Sequence, residues 1–99
     1  MASGRNRLLV ESATLSRVVQ SKEVRYRFTA HARQEMANDS IQEHDVRHVL
    51  ARNGVWWVEW KKDELWHVEG DDIDGRSIRV VMTVRKAESL IKIITVMAL

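Results

Sequence analysis

The apolar positions change period once along the chain, near Gly54, dividing it into a helical first half and a stranded second half. Before that point, Leu15, Val18 and Val19 recur at helical spacing within residues 11–22, with Ser12 or Ser16 near the start, and predict a short helix. Arg25-Tyr26-Arg27-Phe28 alternates and reads as a short extended segment. Thr29 is placed to cap a helix from Ala30 to about Asn38, whose Ala32 and Met36 turn with Phe28 toward a core. A further helix over about Glu43 to Arg52 carries the stripe Val46, Val49 and Leu50. Asn53-Gly54 is a fitting stop, because glycine tolerates the left-handed backbone that often follows a helix.

Beyond Gly54, aromatic and β-branched residues fill Val55 to Trp60 and Leu65 to Glu69, around the polar turn Lys61-Lys62-Asp63. Asp72-Ile73-Asp74-Gly75 marks a second turn, Arg76 to Arg85 a third strand, and Leu90 to Met97 a fourth. Both faces of the last two strands are largely apolar, which predicts central strands covered on two sides. Short connections imply an antiparallel meander. The expected fold is α+β, with N-terminal helices packed on one face of a four-stranded, mainly antiparallel sheet.

At 99 residues the chain supports a single domain, with a tail and helix over 1–24 and a helix-and-sheet core over 25–98. A 44% hydrophobic content is too high for a disordered chain. The absence of cysteine rules out disulfides, thiolate zinc sites and a cysteine nucleophile. No apolar run approaches the roughly 20 residues of a membrane span, and Met1 to Arg7 lacks the apolar stretch of a secretory signal. The expectation is a soluble, cytoplasmic protein.

The net charge of +2 hides a strong asymmetry. Residues 1–34 carry seven bases against two acids, 35–75 four against eleven, and 76–99 five against one. If the two basic ends converge in the fold they make a phosphate-binding face; otherwise they are an ordinary solvated surface of mixed sign.

The histidines are the main candidates for chemistry. His44 and His48 stand at i, i+4, a spacing that can hold one metal, but without the glutamate of a His-Glu-x-x-His site. His31 opens a helix, where the positive helix end favours a neutral, proton-accepting imidazole; the alternative is a side chain that bonds the turn. His67 and Glu69 share a strand face opposite Trp66 and Val68, which makes them an acid/base pair or an incidental half-solvated face. The four tryptophans can stack bases or pack in a core or interface. No nucleophile elbow, P-loop or dinucleotide fingerprint is present.

Phe28-Thr29-x-His31-Ala32, then Met36, Ile41, Asp45-Val46, Val49-Leu50, Gly75-Arg76-x-Ile78-x-Val80-Val81 and Ile93-Ile94-Thr95-Val96, resembles the bacterial domain of unknown function 4258 family. That family looks related to the RelE-like ribonuclease toxins of the barnase, EndoU, colicin and RelE group, and the likeness covers about residues 25–98. The resemblance implies a RelE-like toxin fold, endoribonuclease activity without metal or cofactor, RNA (mRNA or tRNA, on or off the ribosome) as substrate, and a cognate antitoxin. Carried over by position, His31 becomes the general base and Arg76 the phosphate clamp. His67 is then the general acid oriented by Glu69, with Arg33, Arg79 and Trp66 contacting substrate and Glu35 the other carboxylate able to orient His31.

One departure stands out. Many members resemble His-Ala-x-x-Arg-Met-x-x-Arg, whereas Glu35 and Asp39 fill the two arginine slots here, removing two cations from that helix. This fits a subgroup with different substrates, or one that no longer cleaves RNA. The competing expectation is a binding module for RNA or protein, with the Trp-rich strand and the acidic stretch 59–74 as a docking surface. An exposed edge strand and surplus tryptophans also suit a homodimer.

Overall fold

The computed structural model describes residues 8–99; the segment expected as a tail lies mostly outside them. Helix α1 (Leu9–Gln20) precedes a short strand β1 (Arg25–Phe28), then α2 (Ala30–Asn38) and α3 (Glu43–Arg52). Strands β2 (Val55–Trp60), β3 (Glu64–Asp71), β4 (Ser77–Arg85) and β5 (Leu90–Ala98) follow, with a 3-10 turn at Lys86–Glu88. Thr29 caps α2 as expected, its Oγ1 accepting from the Ala32 amide at 3.0 Å. At the start of α3, Asp45 reaches back to accept from the Gln42 amide at 2.9 Å.

The stop after α3 works differently from the expectation. Gly54 is not left-handed; the chain leaves the helix through an extended Asn53, whose Nδ2 donates to the Val49 carbonyl at 2.9 Å. That side chain fills the space beside Gly70 of β3, where a Cβ would collide with it. Glycine at 70 lets the strand pass close to the helix end.

The sheet has five strands in the order β1-β5-β4-β3-β2. Strands β2 to β5 form the expected antiparallel meander. The four-stranded expectation is corrected at one edge, where β1 pairs in parallel with β5, from Arg25 opposite Leu90 to Phe28 opposite Ile93. The Arg-Tyr-Arg-Phe alternation is long enough for four rungs. The α2–α3–meander excursion supplies the crossover that a parallel pair requires.

All three helices pack on one sheet face. Leu15, Val18, Ala32, Met36, Val46, Val49 and Leu50 join Val55, Trp66, Val68, Ile78, Val80, Met82, Ile91, Ile93 and Val96 in one buried cluster. The expectation of two covered faces is therefore corrected: among the described residues no helix covers the other face, where Val81 is buried between His67 and Thr95 of the neighbouring strands. Among the described residues no helix is long and apolar enough to cross a membrane.

Candidate nucleic-acid interface

Side-chain alternation and strand register fix what the open face displays. One row crosses it through Trp57, His67, Val81 and Thr95. The next crosses through Glu59, Leu65, Thr83, Lys92 and Arg27, the Leu65–Thr83 step following from Trp66 opposite Met82. A further row joins Arg85, Leu90 and Arg25. The parallel pairing of β1 with β5 thus brings the basic first and last thirds of the chain together. Arg25, Arg27, Arg85 and Lys92 are all exposed, and none has an ion-pair partner among the described residues. Individual residue motifs did not single out these four, though the Arg-x-Arg alternation and the end-loaded charge carried the signal.

At the other side of this face the charges are balanced. Glu69 pairs with Arg79, whose guanidinium lies 5.9 Å from the Trp56 ring. Glu59, rather than Glu69, holds His67: its Oε1 lies 3.0 Å from Nε2, with Lys61 Nζ 3.5 Å from the other oxygen. The hydrogen bond with His67 is the largest influence on Glu59 and holds its carboxyl below the ordinary value. A bulge between Val55 and Trp57 turns Trp56 toward the same face. The His67 ring is buried at 6% exposure, 4.5 Å from Trp57 and edge-on to Trp56 at 6.2 Å.

These positions correct several expectations. Glu69 is not the orienting partner of His67, because the Arg79 guanidinium occupies it. His67 is sealed beneath the tryptophans and is not open to a phosphate as a general acid. Trp66 lies on the helix side at 7% exposure and has no face to offer a base. Arg33 is exposed but paired with Glu43 at 3.0 Å and laid 5.2 Å from the Phe28 ring; Arg79 is neutralised by Glu69.

Arg76 is also spoken for. Its Nε donates to Asp72 at 3.0 Å, Nη1 to the Asp39 carbonyl and Nη2 to the Ser40 carbonyl at 3.1 Å. It closes the C-terminal end of α2, where carbonyls have no helical partners and a cation is favoured. Ser40 there is left-handed, at φ 54°. The turn behind Arg76 depends on Gly75, at φ 86°, and on Asp72, whose Oδ1 accepts from the Asp74 and Arg76 amides. Burial pushes the Asp72 carboxyl up, but the amide and guanidinium hydrogen bonds outweigh it and hold it below its ordinary value. His31 lies at the other end of α2, about 12 Å away along the axis at 1.5 Å per residue. The imidazole and guanidinium do not share a cleft.

His31 has a different setting. Helix α2 continues the line of β1 along the edge of β5, starting where Thr29 donates to the Ile93 and Ile94 carbonyls. His31 is exposed, with Nε2 3.4 Å from Glu35 Oε1. Glu35 is itself anchored, accepting from the Val96 amide at 3.0 Å, and Asp39 accepts from the Ala98 amide at 3.2 Å. His44 and His48 both lie on α3, and no three His, Cys, Asp or Glu side chains among the described residues gather as a metal-binding group.

In comparison with known proteins, the family model described as Domain of unknown function (DUF4258) matches residues 28–98. No curated protein and no solved structure matches the chain.

Proposed function

The chain belongs to the DUF4258 family, and from its open sheet face we propose that it binds RNA and cleaves it without a metal. The observation that carries this reading is the gathering of Arg25, Arg27, Arg85 and Lys92 on a sheet face where, among the described residues, they have no acidic partners and no helix covers them. Guanidinium groups suit phosphate oxygens, and cations spread over two adjacent rows, about 5–10 Å apart by strand geometry, suit a polyanion better than a single small anion.

His31 is the acid/base group in this reading. With Nε2 turned to Glu35, Nδ1 is left to take the proton of a ribose 2′-hydroxyl. Helix rise and strand spacing put it on the order of 10 Å from the Arg27–Lys92 pair, at the end of the strip. The freed oxygen attacks the adjacent phosphorus, the P–O5′ bond breaks, and the leaving oxygen takes a proton from water, giving a 2′,3′-cyclic phosphate. The arginines stabilise charge on the non-bridging oxygens. A protein with this activity is toxic when alone, so the reading includes an antitoxin partner.

The test is cleavage of a single-stranded RNA by purified protein. His31→Ala is expected to abolish cleavage and relieve growth arrest on expression, with RNA affinity kept; a strand lacking the 2′-hydroxyl at the cut step stays intact. Equal cutting of both strands overturns the mechanism. The specific observation favouring a second reading, RNA binding without cleavage, is that the second candidate imidazole, His67, is buried. Tight binding with no cleavage by wild-type protein selects that reading.

A further inference from the structure

We propose that Trp57 is a stacking platform for an unpaired nucleobase, so that the nucleic acid taken by the open face is single-stranded; this rests on the RNA reading above. Trp57 is 45% exposed, although an indole is among the most costly side chains to leave in water. One side of its ring rests on His67 at 4.5 Å and 38°, and Trp56 flanks it at 5.8 Å. These contacts leave the rest of the ring to solvent.

The floor under it is rigid. His67 is held by Glu59 at 3.0 Å, and its Nδ1 is buried without a hydrogen-bond partner among the described residues. An aliphatic side chain would fill that space without burying a polar atom. What the imidazole adds is a flat, tethered surface that fixes the pitch of the indole.

Charge and distance select the ligand. The nearby acids Glu59 and Glu69 are each paired with a base or His67, so they do not repel a phosphate chain. The unpaired cations lie across the sheet: from Arg27 on β1 to Trp57 on β2 is four strand spacings, about 19 Å. A strand of several nucleotides covers that span with its backbone on the cations and one base on the indole. A duplex keeps its bases stacked inside and has none to give. Among the described residues no acidic side chain pairs with these cations, which leaves them to a phosphate backbone.

The experiment measures binding of three uncleavable probes by fluorescence anisotropy: a short 2′-O-methyl RNA strand, the same strand annealed to its complement, and an equally long strand of stable abasic residues. Wild-type protein is expected to prefer the single strand to the abasic one by about tenfold, the scale of one stacked base. Trp57→Ala removes that preference and leaves abasic binding unchanged, while Trp57→Phe keeps most of it; melting curves confirm that both variants fold. Arg27→Ala with Lys92→Ala weakens all three probes. If Trp57→Ala binds the single strand as well as wild type, or loses abasic binding equally, stacking is overturned while RNA binding stands. If Trp57→Ala instead dissociates a dimer with RNA affinity intact, the ring is a protein contact and the proposal fails. If no probe binds wild type, the RNA reading itself falls and the inference with it.

Discussion

The Glu35 carboxylate accepts a hydrogen bond from the backbone amide of Val96 at 3.0 Å, where β1 has ended and β5 would otherwise show a bare edge. One helical turn later, Asp39 does the same for Ala98. The spacing is commensurate: four residues of helix advance about 6 Å, two residues of strand about 6.6 Å. A helix carrying acceptors at i and i+4 therefore matches a strand whose outward amides recur at i and i+2. The two acids that depart from the family resemblance have a structural purpose, closing the sheet where an open edge would invite pairing with another chain.

Glu35→Ala is accordingly expected to cost about 1–2 kcal/mol in urea unfolding, since it strips the acceptor from the amide of a buried residue. Glu35→Arg should cost at least as much, having only donors to offer Val96. Asp39→Ala, opposite an exposed amide, should cost less, about 0.5–1 kcal/mol. Unchanged midpoints for both Glu35 variants would show that water replaces the carboxylate without loss.

Arg76 is expected to act on stability and not on RNA. Removing its guanidinium frees two carbonyls at the end of α2 and the carboxylate of Asp72. Arg76→Ala should lose about 2 kcal/mol from the charge-assisted bonds to α2 alone, and Arg76→Lys should recover only part, lacking the fork. Folded Arg76→Ala should bind RNA as wild type does. A large loss of affinity with a normal melting temperature would return Arg76 to the phosphate.

Periodicity made most of the fold legible, because each helix and meander strand buries one continuous apolar stripe. The parallel strand was hidden for a physical reason: four residues alternate too briefly to separate an edge strand from an extended connection, and the partner lies some 65 residues away. The site was less legible. His67 and Glu69 do share a face, but the nearer carboxylate comes from Glu59 across the hairpin, a relation set by the register that pairs Trp57 with His67 and Glu59 with Leu65. Gly75-Arg76 is a sound turn signal, yet only the fold shows the arginine turned inward to α2. Net charge by thirds anticipated the basic strip because convergence needed only one contact between the chain's two ends.

Acid should weaken the fold through two groups. Asp72 and Glu59 both release their protons more readily folded than their ordinary values of 3.8 and 4.5 imply, through the hydrogen bonds of Arg76 and His67. The unfolded chain then binds more protons than the native one as pH drops, so the stabilisation is complete above those ordinary values and drains away as pH falls through the lowered native ones. The melting temperature should be level above about pH 5.5 with respect to these carboxyls and decline below it. Asp72→Asn should flatten the decline while lowering the plateau; an undiminished slope would place the acid sensitivity elsewhere.

Salt dependence separates the basic strip from the tryptophan. Each phosphate contact releases condensed counterions, so for a single strand the slope of log K against log salt falls by about 0.7 per contact. Arg27 and Lys92 sit opposite one another on adjacent strands, so each is expected to hold a phosphate of the same chain. The double variant Arg27→Ala, Lys92→Ala should then reduce the slope by about 1.4, and adding Arg25→Ala and Arg85→Ala should bring the reduction to about 2.8. Trp57→Ala should lower affinity equally at every salt concentration and leave the slope alone, because stacking displaces no counterions. Parallel lines for the wild type and the fourfold variant would mean that the backbone lies elsewhere on the molecule.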